Sequence, residues 1–125
     1  MAMLSAIPAL PISDLTRSLS FYANTLGFAL RHIDDDYAIV KRDAVEIHLW
    51  IAAKPLPGLD YTPPVGSAVC KIHVSGVRQL YDEYAARGVI HPEGHLSVRD
   101  AYMSDFTILD VDGNVLQFFD VDISP

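Results

Sequence analysis

The sequence predicts an α+β fold of two βαβββ modules, their eight strands forming a mixed curved sheet with the helices outside. Three observations predict it. A helical pattern opens at Ser13-Asp14-Leu15 and closes at Leu26-Gly27-Phe28. The same plan returns one module later, opening at Ser75-Gly76-Val77 and closing at Arg87-Gly88-Val89, so the chain carries an internal repeat. Around each helix lie short apolar runs broken by turn residues, as strands require. The modules are expected at about residues 5–52 and 67–122, joined by a linker at 53–66, within one domain of 125 residues.

Residues 6–12 are apolar and punctuated by Pro8 and Pro11. Proline cannot donate into a central ladder, so this run reads as an edge strand. Ser13 or Asp14 can accept hydrogen bonds from the first free amides of the helix. Leu15, Leu19, Tyr22 and Leu26 make one helical face, and Gly27 supplies the left-handed closing residue. Residues 28–33 and 37–41 read as strands around the acidic turn Asp34-Asp35-Asp36, and Arg42-Asp43 turns the chain again. In residues 45–51, Val45, Ile47 and Leu49 alternate with Glu46, His48 and Trp50. The first set suits a face packed by the helix; the second suits a wetted cleft.

Pro55, Pro57, Gly58, Pro63 and Pro64 mark the linker. Residues 67–74 open the second module, with Val69, Lys71 and His73 on the cleft side by parity. Val77, Leu80, Tyr81, Tyr84 and Ala85 form the buried stripe of the second helix, which Gly88 ends. Val89 and Ile90 begin a short strand, residues 91–99 read as irregular, and residues 105–110 as a strand. Val111-Asp112-Gly113-Asn114 is a hairpin turn, with Gly113 where positive φ is needed. Residues 115–121 form the last strand.

Composition narrows the function. Half of the residues are hydrophobic and 20% are charged, a globular balance. The net charge of −7 argues against nucleic acid, which needs a basic surface, and suits a cationic ligand. The single cysteine, Cys70, excludes an intrachain disulfide and reads as a core residue. Neither a secretory leader nor a membrane span is visible, so a cytoplasmic protein without a membrane partner is expected. Phosphate-binding glycine loops and nucleophile motifs such as Gly-x-Ser-x-Gly are absent from the sequence.

Ser13-Asp14-Leu15 with Phe21-Tyr22 and Leu26-Gly27-Phe28 resembles the first-module signature of the vicinal oxygen chelate superfamily. Asp110-Val111-Asp112-Gly113-Asn114-Val115-Leu116 resembles its last hairpin. That superfamily includes glyoxalase I, extradiol dioxygenases, fosfomycin-modifying enzymes and bleomycin resistance proteins. The nearer resemblance is to the bleomycin and phleomycin binding proteins. It runs through Ser5-Ala6-Ile7-Pro8, Asp34-Asp35-Asp36-Tyr37-Ala38, Val74-Ser75-Gly76-Val77 with Leu80-Tyr81, and Tyr102 with Asp105-Phe106.

This resemblance implies a homodimer that sequesters a planar, cationic, bleomycin-like drug in clefts between subunits, without catalysis. It also implies an N-terminal arm exchanged about Pro8. In the superfamily's enzymes, His, Glu or Gln on four strands hold a divalent metal. The matching positions here are Ile7, His48, Val69 and Gln117, and two of these are aliphatic. No cofactor, metal or catalytic residue is therefore expected. The candidate ligand contacts are Tyr37, Glu46, His48, Trp50, Lys71, His73, Tyr102, Asp105, Gln117 and Phe119. Aromatic rings would stack on a flat heteroaromatic, and carboxylates would attract a cationic tail. Two alternatives remain open: a metal-dependent lyase or dioxygenase with a site displaced onto His48, His73 and Glu46 or Gln117, and a non-catalytic binder of another small metabolite.

Overall fold

A computed structural model describes residues 1–53, 55, 58–100 and 103–121, with only the backbone at 99 and 100. The chain runs β1 (Ala9–Ile12), α1 (Leu15–Ser20), β2 (Ala29–Ile33), β3 (Tyr37–Arg42), β4 (Val45–Ile51), β5 (Val69–His73), α2 (Val77–Ala85), β6 (Ser97–Asp100), β7 (Met103–Leu109) and β8 (Val115–Val121). The eight strands form two four-stranded mixed sheets of matching topology, β1-β4-β3-β2 and β5-β8-β7-β6. In each sheet the first strand is parallel to the last and the remaining pairs are antiparallel. The duplicated plan of the sequence is thus duplicated architecture.

Asp14 caps α1. Its backbone is extended, and its carboxylate accepts from the Arg17 amide at 2.8 Å. Ser13 serves another purpose: its hydroxyl donates to Asp112 at 2.6 Å, tying the helix start to the last hairpin. The helix then widens into a π-helical segment, Phe21–Thr25, in which the Leu26 amide reaches back to Phe21 at 3.0 Å. Tyr22 and Leu26 are fully buried, and Leu15 and Leu19 pack against the same core. Gly27 has φ +80°, and a Cβ there would stand 3.0 Å from the Arg42 guanidinium.

One core serves both sheets. It takes Leu10, Ile12, Val40, Ile47 and Leu49 from the first, and Cys70, Ile72, Phe106, Ile108, Leu116 and Phe118 from the second. Polar ties cross the same junction. Arg42 makes a two-pronged bond to Glu83, at 2.8 and 3.0 Å, and donates to the Leu26 carbonyl at 2.8 Å. Tyr22 donates to Asp110 at 2.8 Å within the interior. Asn114 donates to the Pro11 carbonyl at 3.0 Å and accepts from the Ala68 amide at 3.1 Å, stapling β1 beside the approach to β5. Gly66 sits so close there that a Cβ would meet the Asp112 carbonyl oxygen at 2.0 Å.

Several expectations shift. The first strand begins at Ala9, not residue 6, and residues 1–7 are exposed. β1 is an edge strand, as its prolines require. Within the expected Ser75-Gly76-Val77 opening, Gly76 stands at the N-cap of α2, in the left-handed region at φ 78°. Val89-Ile90 contributes a single bridge, Ile90 to Ile108, rather than a strand. The fourth strand of the second sheet is instead β6, within residues expected to be irregular; it pairs Ser97 with Asp105. A four-residue edge strand next to a proline-glycine turn leaves too little alternation to recognise in sequence.

Candidate functional site

Strand parity decides which side chains look away from the core. On β4, Ile47 and Leu49 are fully buried, so Glu46, His48 and Trp50 occupy the opposite face. β3 lies antiparallel in the register Tyr37 to Trp50, Ile39 to His48 and Lys41 to Glu46. Tyr37, Ile39 and Lys41 therefore share that face.

The side chains there form a connected chain. Glu46 lies 2.8 Å from Nε2 of His48, and the Tyr37 hydroxyl bonds Nδ1 of the same ring. A neutral imidazole fits this arrangement in one tautomer: Nε2–H donates to the carboxylate, and Nδ1 accepts from the phenol. The Tyr37 and His48 rings meet edge-on, with centroids 5.3 Å apart. Burial, then the nearby charges of Glu46 and Asp34, hold the Tyr37 hydroxyl above its ordinary pKa, so it stays a donor at neutral pH. The acidic turn is a solvated feature. Asp34 is half exposed, accepts from the Asp36 amide at 3.3 Å and lies 3.3 Å from His32.

The second sheet repeats the logic. Cys70 and Ile72 point inward, leaving Val69, Lys71 and His73 exposed on β5. The register sets Val69 beside Val115, Lys71 beside Gln117 and His73 beside Phe119. His73 and Phe119 stack, with centroids 5.0 Å apart and planes within 9°. His73 also lies 3.5 Å from an Asp120 oxygen. Asp105 shares the face but is only 2% exposed; Ser97 and Gln117 approach its carboxylate at 3.5 and 3.4 Å. Tyr102 lies outside the described residues.

The candidates thus fall into two groups on two sheets: Tyr37, Glu46, His48 and Trp50, then Lys71, His73, Asp105, Gln117 and Phe119. Each sheet gives one face to the shared core, and the two groups stand on the other faces of different sheets. Neither face by itself encloses a small molecule. Sequence reading missed Ile39 and Lys41 on the first face and Thr107 and Leu109 on the second. Counting alternate residues from Tyr37 and from Asp105 would have found all four. A cleft of about 470 Å³ lies elsewhere, between the β3–β4 turn and the start of α2, and of the candidates only His73 touches it.

The donor set does not fit the superfamily's metal. Ile7 precedes β1 and Val69 is aliphatic, so neither can coordinate. Both nitrogens of His48 are engaged by side chains. Among the described residues, no group of three His, Cys, Asp or Glu is placed to hold an ion. The displaced arrangement on His48, His73 and Glu46 is not brought together, because His73 stands on the other sheet.

Comparison with known proteins agrees with the fold. A family model described as the Glyoxalase/Bleomycin resistance protein/Dioxygenase superfamily matches residues 6–118. A bleomycin resistance protein of Geobacillus stearothermophilus is 36% identical, over 94% of this chain and 96% of its own length. One from Staphylococcus aureus matches equally, at 36% over the same shares. Among solved structures, the bleomycin-binding protein of Streptomyces verticillus, complexed with copper(II)-bleomycin, superposes with a TM-score of 0.73. It is 23% identical, over 94% of this chain and 96% of that one, and so reports on fold.

Proposed function

Because the chain belongs to the glyoxalase/bleomycin resistance protein/dioxygenase superfamily, we propose that it sequesters a bleomycin-like glycopeptide antibiotic and so confers resistance. The clefts lie at a dimer interface, in the cytoplasm, and the drug leaves unchanged. The observation that carries this reading is that each sheet buries one face in the shared core and leaves the other open, with the candidate residues on the open faces. A second copy, placed by a two-fold axis, would set its second-sheet face against the first-sheet face of its partner. Two equivalent clefts result, each drawing on both chains.

The surfaces suit that use. Trp50, Tyr37 and the His73–Phe119 stack offer flat aromatic contacts, each worth about 0.5–1.5 kcal/mol against a planar ring. Val69 is 67% exposed and Leu109 38%, on a strand face that a partner would cover. The N-terminal segment carries exposed Met1, Met3, Leu4 and Ile7 just ahead of Pro8, an apolar arm suited to exchange with that partner. Sequestration needs affinity and stoichiometry, not turnover. The engaged nitrogens of His48 and the aliphatic Ile7 and Val69 give the chelating alternative less support.

Calorimetry with bleomycin tests the reading. Saturable binding of one drug per chain, tighter than micromolar, is the expected result. An absence of heat at micromolar drug would rule the ligand out, while binding accompanied by chemical change of the drug would rule out passive sequestration.

A further inference from the structure

We propose that Lys71 is the specificity-determining residue of the cleft, selecting planar ligands that carry an anionic group such as a carboxylate over those that end in a cation. This rests on the sequestration reading and adds the charge of the ligand the site favours. It also runs against the first expectation from composition, in which the acidic net charge pointed to a cationic ligand. Net charge describes the whole surface, whereas the ligand meets only the two open faces.

Those faces have an uneven charge inventory. On the open face of the second sheet, the ionisable side chains among those described are Lys71, His73 and Asp105. Asp105 is 2% exposed and is approached by Ser97 and Gln117. His73 has Asp120 at 3.5 Å and the Phe119 ring against it. On the first sheet, Glu46 is held by His48 at 2.8 Å and has Lys41 as its cross-strand neighbour. The carboxylates on both faces therefore already have partners. Lys71 is exposed at the centre of β5, and no hydrogen bond or ion pair among the described residues engages its ammonium.

Its surroundings make the charge matter. Lys71 stands between Val69 and His73 along β5 and beside Gln117 on β8. Residues two apart on a strand lie about 7 Å apart, within reach of a four-carbon side chain. A ring laid on the His73–Phe119 stack therefore presents its substituent to the Lys71 ammonium. Once a partner copy and a ligand cover this face, a charge pair there interacts more strongly than in bulk solvent, whatever its sign. A carboxylate there gains a charge-assisted hydrogen bond, and the Gln117 amide can add a second. A cationic end meets repulsion, with no unpartnered carboxylate beside Lys71 among the described side chains to offset it.

The test uses two forms of bleomycin that differ only at the bithiazole terminus: one amidated with a cationic amine, the other with the carboxylic acid left free. Dissociation constants for both are measured by calorimetry on the full-length protein, on Lys71→Met, and on Lys71→Arg. Lys71→Met should lower the preference for the acid over the cationic form at least about tenfold, about 1.4 kcal/mol. Lys71→Arg should keep it. A preference unchanged within about twofold in Lys71→Met, with both forms still bound, overturns the role of Lys71 and leaves sequestration standing. If neither form binds the unmodified protein, the sequestration reading fails and this inference falls with it.

Discussion

His48 has a phenol on one nitrogen and a carboxylate on the other, which makes it the organising residue of the first face. Tyr37→Phe removes one partner from a half-buried position, so stability should fall by no more than about 1 kcal/mol. Drug affinity should fall further than that, because the ring orientation is no longer held; paired urea melts and calorimetry measure both. Trp50 is the only tryptophan, so intrinsic fluorescence reports this face alone. Titration with drug should quench it, and Trp50→Phe should abolish the signal. Away from the faces, the Arg42 guanidinium holds the Glu83 carboxyl below its ordinary value. A carboxyl lowered on folding stabilises the protein above its unfolded pKa, and that contribution fades as pH falls through the folded one. Glu83→Gln should therefore remove part of the acid-side loss of stability, visible as a flatter melting temperature below about pH 5. Strand alternation alone assigned Glu46, His48 and Trp50 to one side. It could not reveal that Tyr37 completes the chain, since that depends on the β3–β4 register.

The last hairpin does more than reverse the chain. Asn114 is fully buried and bonds Pro11, Ala68 and Asp110, so a single side chain joins both modules. Asn114→Ala should cost about 2–4 kcal/mol, since several buried groups lose partners at once, and should shift the urea midpoint without changing its slope. Gly66→Ala should be comparably damaging, because its new carbon would collide with the Asp112 backbone. These consequences lie beyond the sequence pattern, which marked the turn and nothing of its long-range contacts. The strand positions of β3, β4, β5 and β8 were legible because each alternates over five or more residues. β6 was not, being four residues long and defined by its neighbour. The π-helical stretch was hidden too: widening by one residue keeps an apolar face facing the core, so the pattern looks like ordinary helix.

At the scale of the molecule, the proposal depends on a second copy. Sizing should give a dimer of the 13.8 kDa chain. Removing residues 1–8 should weaken the dimer and the drug binding together while leaving the monomer folded, because none of the shared core comes from that segment. A truncated protein that remained a tight dimer with full affinity would count against arm exchange.

The sequence alone determined the repeat, the hairpin turn, and the side of each long strand that faces the core, because these follow from local periodicity and backbone stereochemistry. It also showed that two of the four matched metal-ligand positions, Ile7 and Val69, are aliphatic, since side-chain chemistry needs no coordinates to be read. Tertiary structure alone decided that the two halves share one core, each sheet leaving its other face open, and which carboxylates are already engaged. Those facts arise from contacts between residues far apart in the chain, about which alternation along a single strand carries no information.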